Sequence, residues 1–123
     1  MGRRRLLVLS VLLFGVGSAA VGCAAPEPSI EVGASTVIID VRTPDEFGSG
    51  HLEGAENVDL QSGDFEAEIS EYALDGEYIV YCRSGNRSAQ AAAVMDSLGF
   101  EDVTDAGGVN EASQATGLGI VGD

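Results

Sequence analysis

The sequence has no lysine and no tryptophan, a single histidine and only two cysteines. With lysine absent, all six basic residues are arginines, set against 20 carboxylates. Nucleic acid and anionic lipid head groups are repelled by so acidic a surface, which argues against a nucleic-acid role. The two cysteines, Cys23 and Cys82, allow at most one disulfide, so no disulfide framework can hold the chain. Also missing is the run of about 20 apolar residues that a bilayer-spanning helix requires. Leu6 to Val16 is apolar but short, and it is broken by Ser10 and Gly15. No internal repeat or low-complexity run interrupts the remainder.

What is present at the start reads as an export signal: the basic Met1-Gly2-Arg3-Arg4-Arg5, the apolar run, then small residues ending in Ala20-Val21-Gly22-Cys23. Those last four residues resemble a bacterial lipobox. That resemblance implies a diacylglycerol on the Cys23 sulfur, cleavage after residue 22, and attachment to the outer face of the bacterial membrane. The alternative is an ordinary signal peptide that ends near a cysteine. Residues 23–35, with Pro26 and Pro28, form a polar tether.

Cleavage there leaves three arginines against twenty acidic residues, a net charge of −17. The chain from Cys23 onward is long enough for one small domain with a modest core. Of the remaining cations Arg42, Arg83 and Arg87, two lie within five residues of Cys82. If Cys23 is lipidated, Cys82 has no disulfide partner, and an unpaired cysteine in an exported protein points to a reactive thiol or an intermolecular pair. Cations kept beside that thiol in so acidic a chain suggest an anion site. For Arg42 ordinary ion pairing explains the charge equally well, whereas for Arg83 and Arg87 the loop they occupy argues against it.

The periodicity alternates strands with helices. A brief edge strand is expected at Ile30 to Val32 and a buried β-branched strand at Val37-Ile38-Ile39. Thr43, Pro44 and Glu46 supply an N-cap, a first-turn proline and a capping-box acid for a short helix. A turn at His51 to Ala55 leads to a strand near Asn57 to Leu60, and apolar spacing marks a helix from Phe65 to Tyr72. Tyr78 to Tyr81 reads as a second buried strand. An Ala-rich helix over 88–98 follows, with Ala91, Val94, Met95 and Leu98 as its inner stripe and Gly99-Phe100 as its stop. Asp102 to Thr104 is a third core strand, Gly107-Gly108 a turn, and 109–115 a last helix; residues 118–123 form a tail. This order predicts an α/β domain with a central, mainly parallel sheet flanked by helices.

Cys82-Arg83-Ser84-Gly85-Asn86-Arg87-Ser88 lies between a buried strand and a helix, where sheets of this type bind ligands. Loop amides and the helix N-terminus can point at one atom and stabilise an anion there. A cysteine sulfur at that centre has a lowered pKa and becomes a usable nucleophile. Gly85 permits the tight backbone path, and Ser84 and Ser88 shape the loop by hydrogen bonding.

Four ordered blocks over residues 36–117 resemble the rhodanese-like sulfurtransferase family. They are Val37 to Phe47, Gly50-His51-Leu52-Glu53-Gly54-Ala55, Tyr78 to Ser88 with its Cys-Arg-x-Gly-x-Arg form, and Ser97 to Gly108. The resemblance implies that Cys82 takes sulfane sulfur from thiosulfate or a persulfide donor as a persulfide and passes it to a thiol acceptor. No metal and no organic cofactor is implied. Arg83, Ser84, Gly85, Asn86, Arg87 and Ser88 would bind the substrate and hold the persulfide. Asp40 and Arg42 match the family's Asp-x-Arg and read as structural, with a substrate role for Arg42 as the alternative. His51 matches a structural position.

Related cell-cycle phosphatases and arsenate reductases place the arginine six positions after the cysteine. Here Arg87 is five positions after Cys82, and the smaller loop suits sulfur better than a tetrahedral phosphate. The chain departs from the family where many members carry a tryptophan, at Ala112, and in lacking room for a helix before the first core strand. A non-catalytic binding module or persulfide carrier at the cell envelope is the competing function.

Overall fold

The computed structural model describes residues 27–122. The proposed export signal, Cys23 and Asp123 lie outside the described residues. Among the described residues no helix is long and apolar enough to cross a membrane.

The chain forms β1 (Val37–Asp40), α1 (Pro44–Gly48), β2 (His51–Leu52), β3 (Glu56–Asn57), α2 (Phe65–Ile69), β4 (Glu77–Cys82), α3 (Asn86–Ser97), β5 (Asp102–Gly108), α4 (Val109–Thr116) and β6 (Ile120–Val121). Four strands make a wholly parallel sheet in the order β3-β1-β4-β5, and β2 pairs antiparallel with β6. The α/β architecture with a mainly parallel sheet is therefore as the sequence pattern predicts.

The central strand explains the two-faced core. Tyr78, Val80 and Cys82 point to one face and Ile79 and Tyr81 to the other, and all five are at most 4% exposed. On the first face they pack with Ile39, Phe65, Ile69, Ala91, Met95 and Phe100 beneath α2 and α3. On the second, Ile79 and Tyr81 join Ile38, Leu52, Ala106 and Ala112 beneath α4. Parallel strands buried on both faces read as continuous apolar runs, which is why Tyr78 to Tyr81 shows no alternation. Truncating a fully buried side chain such as Met95 to Ala should cost roughly 2–5 kcal/mol.

The caps follow the sequence. Thr43 Oγ1 accepts the Glu46 amide at 3.3 Å, with Pro44 in the first turn. At the end of α3 the Gly99 amide donates to the Asp96 carbonyl and Phe100 to the Met95 carbonyl, both at 3.1 Å, which closes the helix and seats Phe100 in the core.

Several boundaries differ from the sequence expectations. Ile30 to Val32 is not a strand; the Ile30 amide donates to Ala115 O at 2.8 Å, so the segment lies on α4 instead of beside a strand. The strand expected near 57–60 occupies Glu56–Asn57, and α2 stops at Ile69, with the Tyr72 amide closing a turn onto the Ile69 carbonyl. Leu98, expected inside, is 36% exposed at the C-cap of α3. Residues 120–121 pair with His51 and Leu52.

Candidate active site

The strand register assembles the site. Asp40 lies opposite Tyr81, and after a shift between Val80 and Cys82, Cys82 lies opposite Gly108. The carboxyl ends of β1, β4 and β5 thus converge on the Cys82 loop. Gly108 explains why β5 can come this close. A Cβ there would lie 2.6 Å from the Arg83 carbonyl oxygen, so only glycine fits.

Cys82 is 1% exposed and is the only free cysteine among the described residues. Its sulfur sits within a ring of donors. The Gly85 amide donates to Sγ at 2.9 Å, and the Ser88 hydroxyl lies 3.5 Å away. Gly85 reaches this position with φ 103°, a left-handed conformation that strains any residue with a side chain. Ser88, fully buried in the first turn of α3, also has the Gly85 carbonyl at 3.0 Å and the Gly107 carbonyl at 3.4 Å as acceptors. In the thiol form S–H donates to Ser88 Oγ; in the thiolate form the hydroxyl is free to turn and donate to sulfur. Burial pushes the thiol pKa up, but the Ser88 hydroxyl and the amides of Ser88, Gly85 and Ser84 outweigh it, and the net direction is down. Hydroxyl and amides thus lead the stabilisation that the sequence reading shared between amides and two arginines.

The arginines are placed unequally. Arg42 is buried and forms an ion pair with Asp40, with Nη2–Oδ2 at 2.6 Å. Its Nη2 also donates to the Gly50 carbonyl at 2.6 Å, and its backbone amide to Asp40 Oδ1 at 2.9 Å. Burial opposes the Arg42 charge, but the Asp40 hydrogen bond and field prevail and raise its pKa. Asn57 Nδ2 ties the same corner by donating to the carbonyls of Asp40 and Arg42 at 3.0 and 2.9 Å. The ion pairing weighed for Arg42 from the sequence is thus with Asp40.

Arg87 corrects one expectation. It does not stand free in the loop but pairs fork to fork with Glu46, Nη1–Oε1 at 2.7 Å and Nη2–Oε2 at 2.9 Å. The Arg87 hydrogen bonds hold the Glu46 carboxyl down at about 2 against the opposing effect of burial. Arg83 is exposed and has no ion-pair partner among the described residues. It borders a cavity of about 400 Å³ shared with Arg42, Glu46, Ser49, Val109 and Asn110. Ser84 is exposed on the loop, and Asn86, expected in the loop, is exposed as the first residue of α3.

His51 is not brought to the sulfur's ring of donors. Its ring stacks on Phe47 at 3.8 Å between centroids, and Nδ1 lies 2.9 Å from the Phe47 carbonyl. Among the described residues no group of His, Cys, Asp and Glu side chains converges so as to hold a metal ion.

Sequence reasoning missed Glu46 as a site residue, seeing only a helix cap. It also missed Gly108 as the residue that admits the loop, and Ser49, Val109 and Asn110 as cavity walls. Only Glu46 carried a usable signal, since its capping position lies in the same block as Asp40 and Arg42.

The rhodanese-like domain model matches residues 29–115. A thiosulfate sulfurtransferase, GlpE of Pseudomonas putida, is 37% identical over 94 residues, spanning 74% of this chain and 83% of that protein. Among solved structures, a rhodanese with anions from E. coli superposes with a TM-score of 0.60 at 26% identity, covering 72% of this chain and 99% of that one. The Alr3790 protein from Anabaena gives a TM-score of 0.64 at 25% identity, covering 73% of this chain and 80% of that one.

Proposed function

The chain belongs to the rhodanese-like domain family and is a sulfurtransferase, and on that premise we propose that it moves sulfane sulfur through a persulfide on Cys82. The carrying observation is the buried Sγ with the Gly85 amide at 2.9 Å and the Ser88 hydroxyl at 3.5 Å, an arrangement that favours the anion of a thiol otherwise penalised by burial.

In the first step the Cys82 thiolate attacks the outer sulfur of thiosulfate. The S–S bond of thiosulfate breaks, sulfite leaves with the bonding pair, and Cys82 carries a persulfide anion. A nucleophilic acceptor then attacks the terminal sulfur and the Cys82 thiolate departs. With cyanide the product is thiocyanate; a thiol acceptor gives a new persulfide. Each step is a substitution at sulfur that needs a stable anionic leaving group and donors to hold the charge. The loop amides and Ser88 supply those donors. Arg83 is the exposed cation that draws an anionic donor toward the loop against an otherwise repulsive surface.

The same proposal places the domain at the cell envelope through a lipid on Cys23, supported by the Ala20-Val21-Gly22-Cys23 sequence. Small sulfur donors and thiol acceptors are its partners.

The test is thiocyanate formation from thiosulfate and cyanide by the full-length protein, with Cys82→Ser as control. Turnover abolished in the variant supports the proposal. Equal rates in both proteins would refute it. A persulfide that accumulates on Cys82 without thiocyanate turnover would assign a carrier role instead.

A further inference from the structure

Glu46 and Arg87 lie 41 residues apart in sequence and meet through two parallel hydrogen bonds. Their side chains are 26% and 19% exposed, so the pair is half-sheltered, and Glu46 lines the cavity. Glu46 is itself fixed from below: the Thr43 hydroxyl donates to Oε1 at 3.1 Å, and the Glu46 amide donates to Thr43 Oγ1. A carboxylate in the first turn of one helix is thereby held against the first turn of another. That second turn carries Ser88 and follows Gly85, the groups that face the sulfur.

The charges around the loop then divide in a definite way. On the β1 side Arg42 is closed by Asp40. From α1, Glu46 closes Arg87. At the start of α4, Glu111 comes close to Gly108. His51, on β2, is turned to Phe47. Arg83 remains, exposed and without an ion-pair partner among the described residues.

We infer that Glu46 is a positioning residue that fixes the first turn of α3 around Cys82 through Arg87 and, by neutralising that guanidinium, leaves Arg83 as the one uncompensated cation, among the described residues, that the site offers to an incoming anion. The inference rests on the sulfurtransferase reading for its substrate and on Cys82 for its thiol. A purely mechanical clamp would suffer in the same way from loss of either partner. A charge-setting clamp responds with opposite signs. Without the Glu46 charge, Arg87 becomes a free cation near the sulfur, which favours the thiolate and binds thiosulfate more tightly. Without the Arg87 charge, Glu46 becomes a free anion there, which does the reverse.

The experiment compares Glu46→Gln and Arg87→Gln in the full-length protein, since glutamine keeps a hydrogen-bonding group at each position. Alkylation of Cys82 is followed against pH, with peptide mass spectrometry to separate it from Cys23, and thiosulfate KM is measured alongside. One unit charge in a half-wetted site should move the alkylation midpoint by roughly half a pH unit, and KM by about threefold. Glu46→Gln should lower both, Arg87→Gln should raise both, and Glu46→Asp should bring the midpoint back toward wild type. Shifts in the same direction, or no shift, would overturn the inference. Loss of the folded protein in both variants would also overturn it, by leaving a structural clamp alone; if only one folds, the sign of its shift decides. Alkylation needs no sulfur donor. Opposite midpoint shifts with no thiosulfate turnover in any protein would therefore refute the sulfurtransferase reading and leave the role of Glu46 at the thiol standing.

Discussion

Replacing Ser88 with alanine removes one hydroxyl from the ring of donors around Cys82 and leaves the helix that carries it intact. Ser88 is fully buried, so no water is placed to substitute for the lost group. A hydrogen bond to a charged acceptor contributes about 1.5–3 kcal/mol. Here the contact is long, 3.5 Å, and the hydroxyl is shared with the Gly85 carbonyl, so the low end applies. About 1.4 kcal/mol corresponds to one pKa unit, and the Cys82 midpoint should rise by about that much. Thiolate reactivity increases with basicity at a Brønsted slope of about 0.4–0.5. Below the midpoint the variant should therefore alkylate roughly three- to fourfold more slowly, while its plateau at high pH should be about threefold faster. Stability must follow the same linkage. The folded-state pKa of Cys82 lies below the ordinary thiol value of 9.0, so its contribution is complete above that value and is lost as pH falls through the lowered one. Ser88→Ala should flatten that dependence. The assay is alkylation rate against pH on the full-length protein, with circular dichroism confirming the fold. An unchanged midpoint in a folded variant would refute the assignment of Ser88 as a donor to the thiolate.

Gly108→Ala places a methyl group 2.6 Å from the Arg83 carbonyl and must displace the loop, so thiocyanate turnover should fall at least about tenfold while the thermal midpoint falls by only a few degrees; equal turnover would show that the loop accommodates the methyl. Glu46, held at about 2, contributes stability that is complete above its ordinary value of 4.5 and is lost as pH falls through about 2. Because the pair is partly exposed, the contribution is about 1 kcal/mol, and acid unfolding of Glu46→Gln should show a correspondingly weaker pH dependence between those values. Cys23→Ala should release the protein from the membrane fraction or leave it unprocessed, and an unchanged membrane fraction would count against lipid anchoring.

The sheet was legible because its two central strands are short β-branched and aromatic runs, Val37 to Ile39 and Tyr78 to Tyr81, bounded by polar residues. The end of α3 was legible because Gly99 is followed by an apolar residue that can return to the core. The loop was legible because Cys82 sits at a strand-to-helix junction with Gly85 inside it. Elements of two residues carry no period, which hid the pairing of Ile120–Val121 with His51–Leu52. Ile30 to Val32 has the alternation of an edge strand, yet its backbone bonds to α4, a choice set by tertiary packing that no local pattern records. Long-range charge pairing was the least legible feature. With 20 carboxylates available, nothing local marks Glu46 as the one that meets Arg87, and the pair is visible only once α1 and α3 are brought together. The tight approach of Gly108 to Arg83 is hidden for the same reason, since Gly107-Gly108 reads locally as a turn and nothing more.

Persulfide formation on Cys82 is the most direct measurement. Full-length protein incubated with thiosulfate, without any acceptor, should yield a Cys82 peptide heavier by the mass of one sulfur atom, and cyanide should remove that mass as thiocyanate. An unmodified Cys82 peptide from folded protein, under conditions where thiocyanate is still produced from thiosulfate and cyanide, would contradict transfer through this residue.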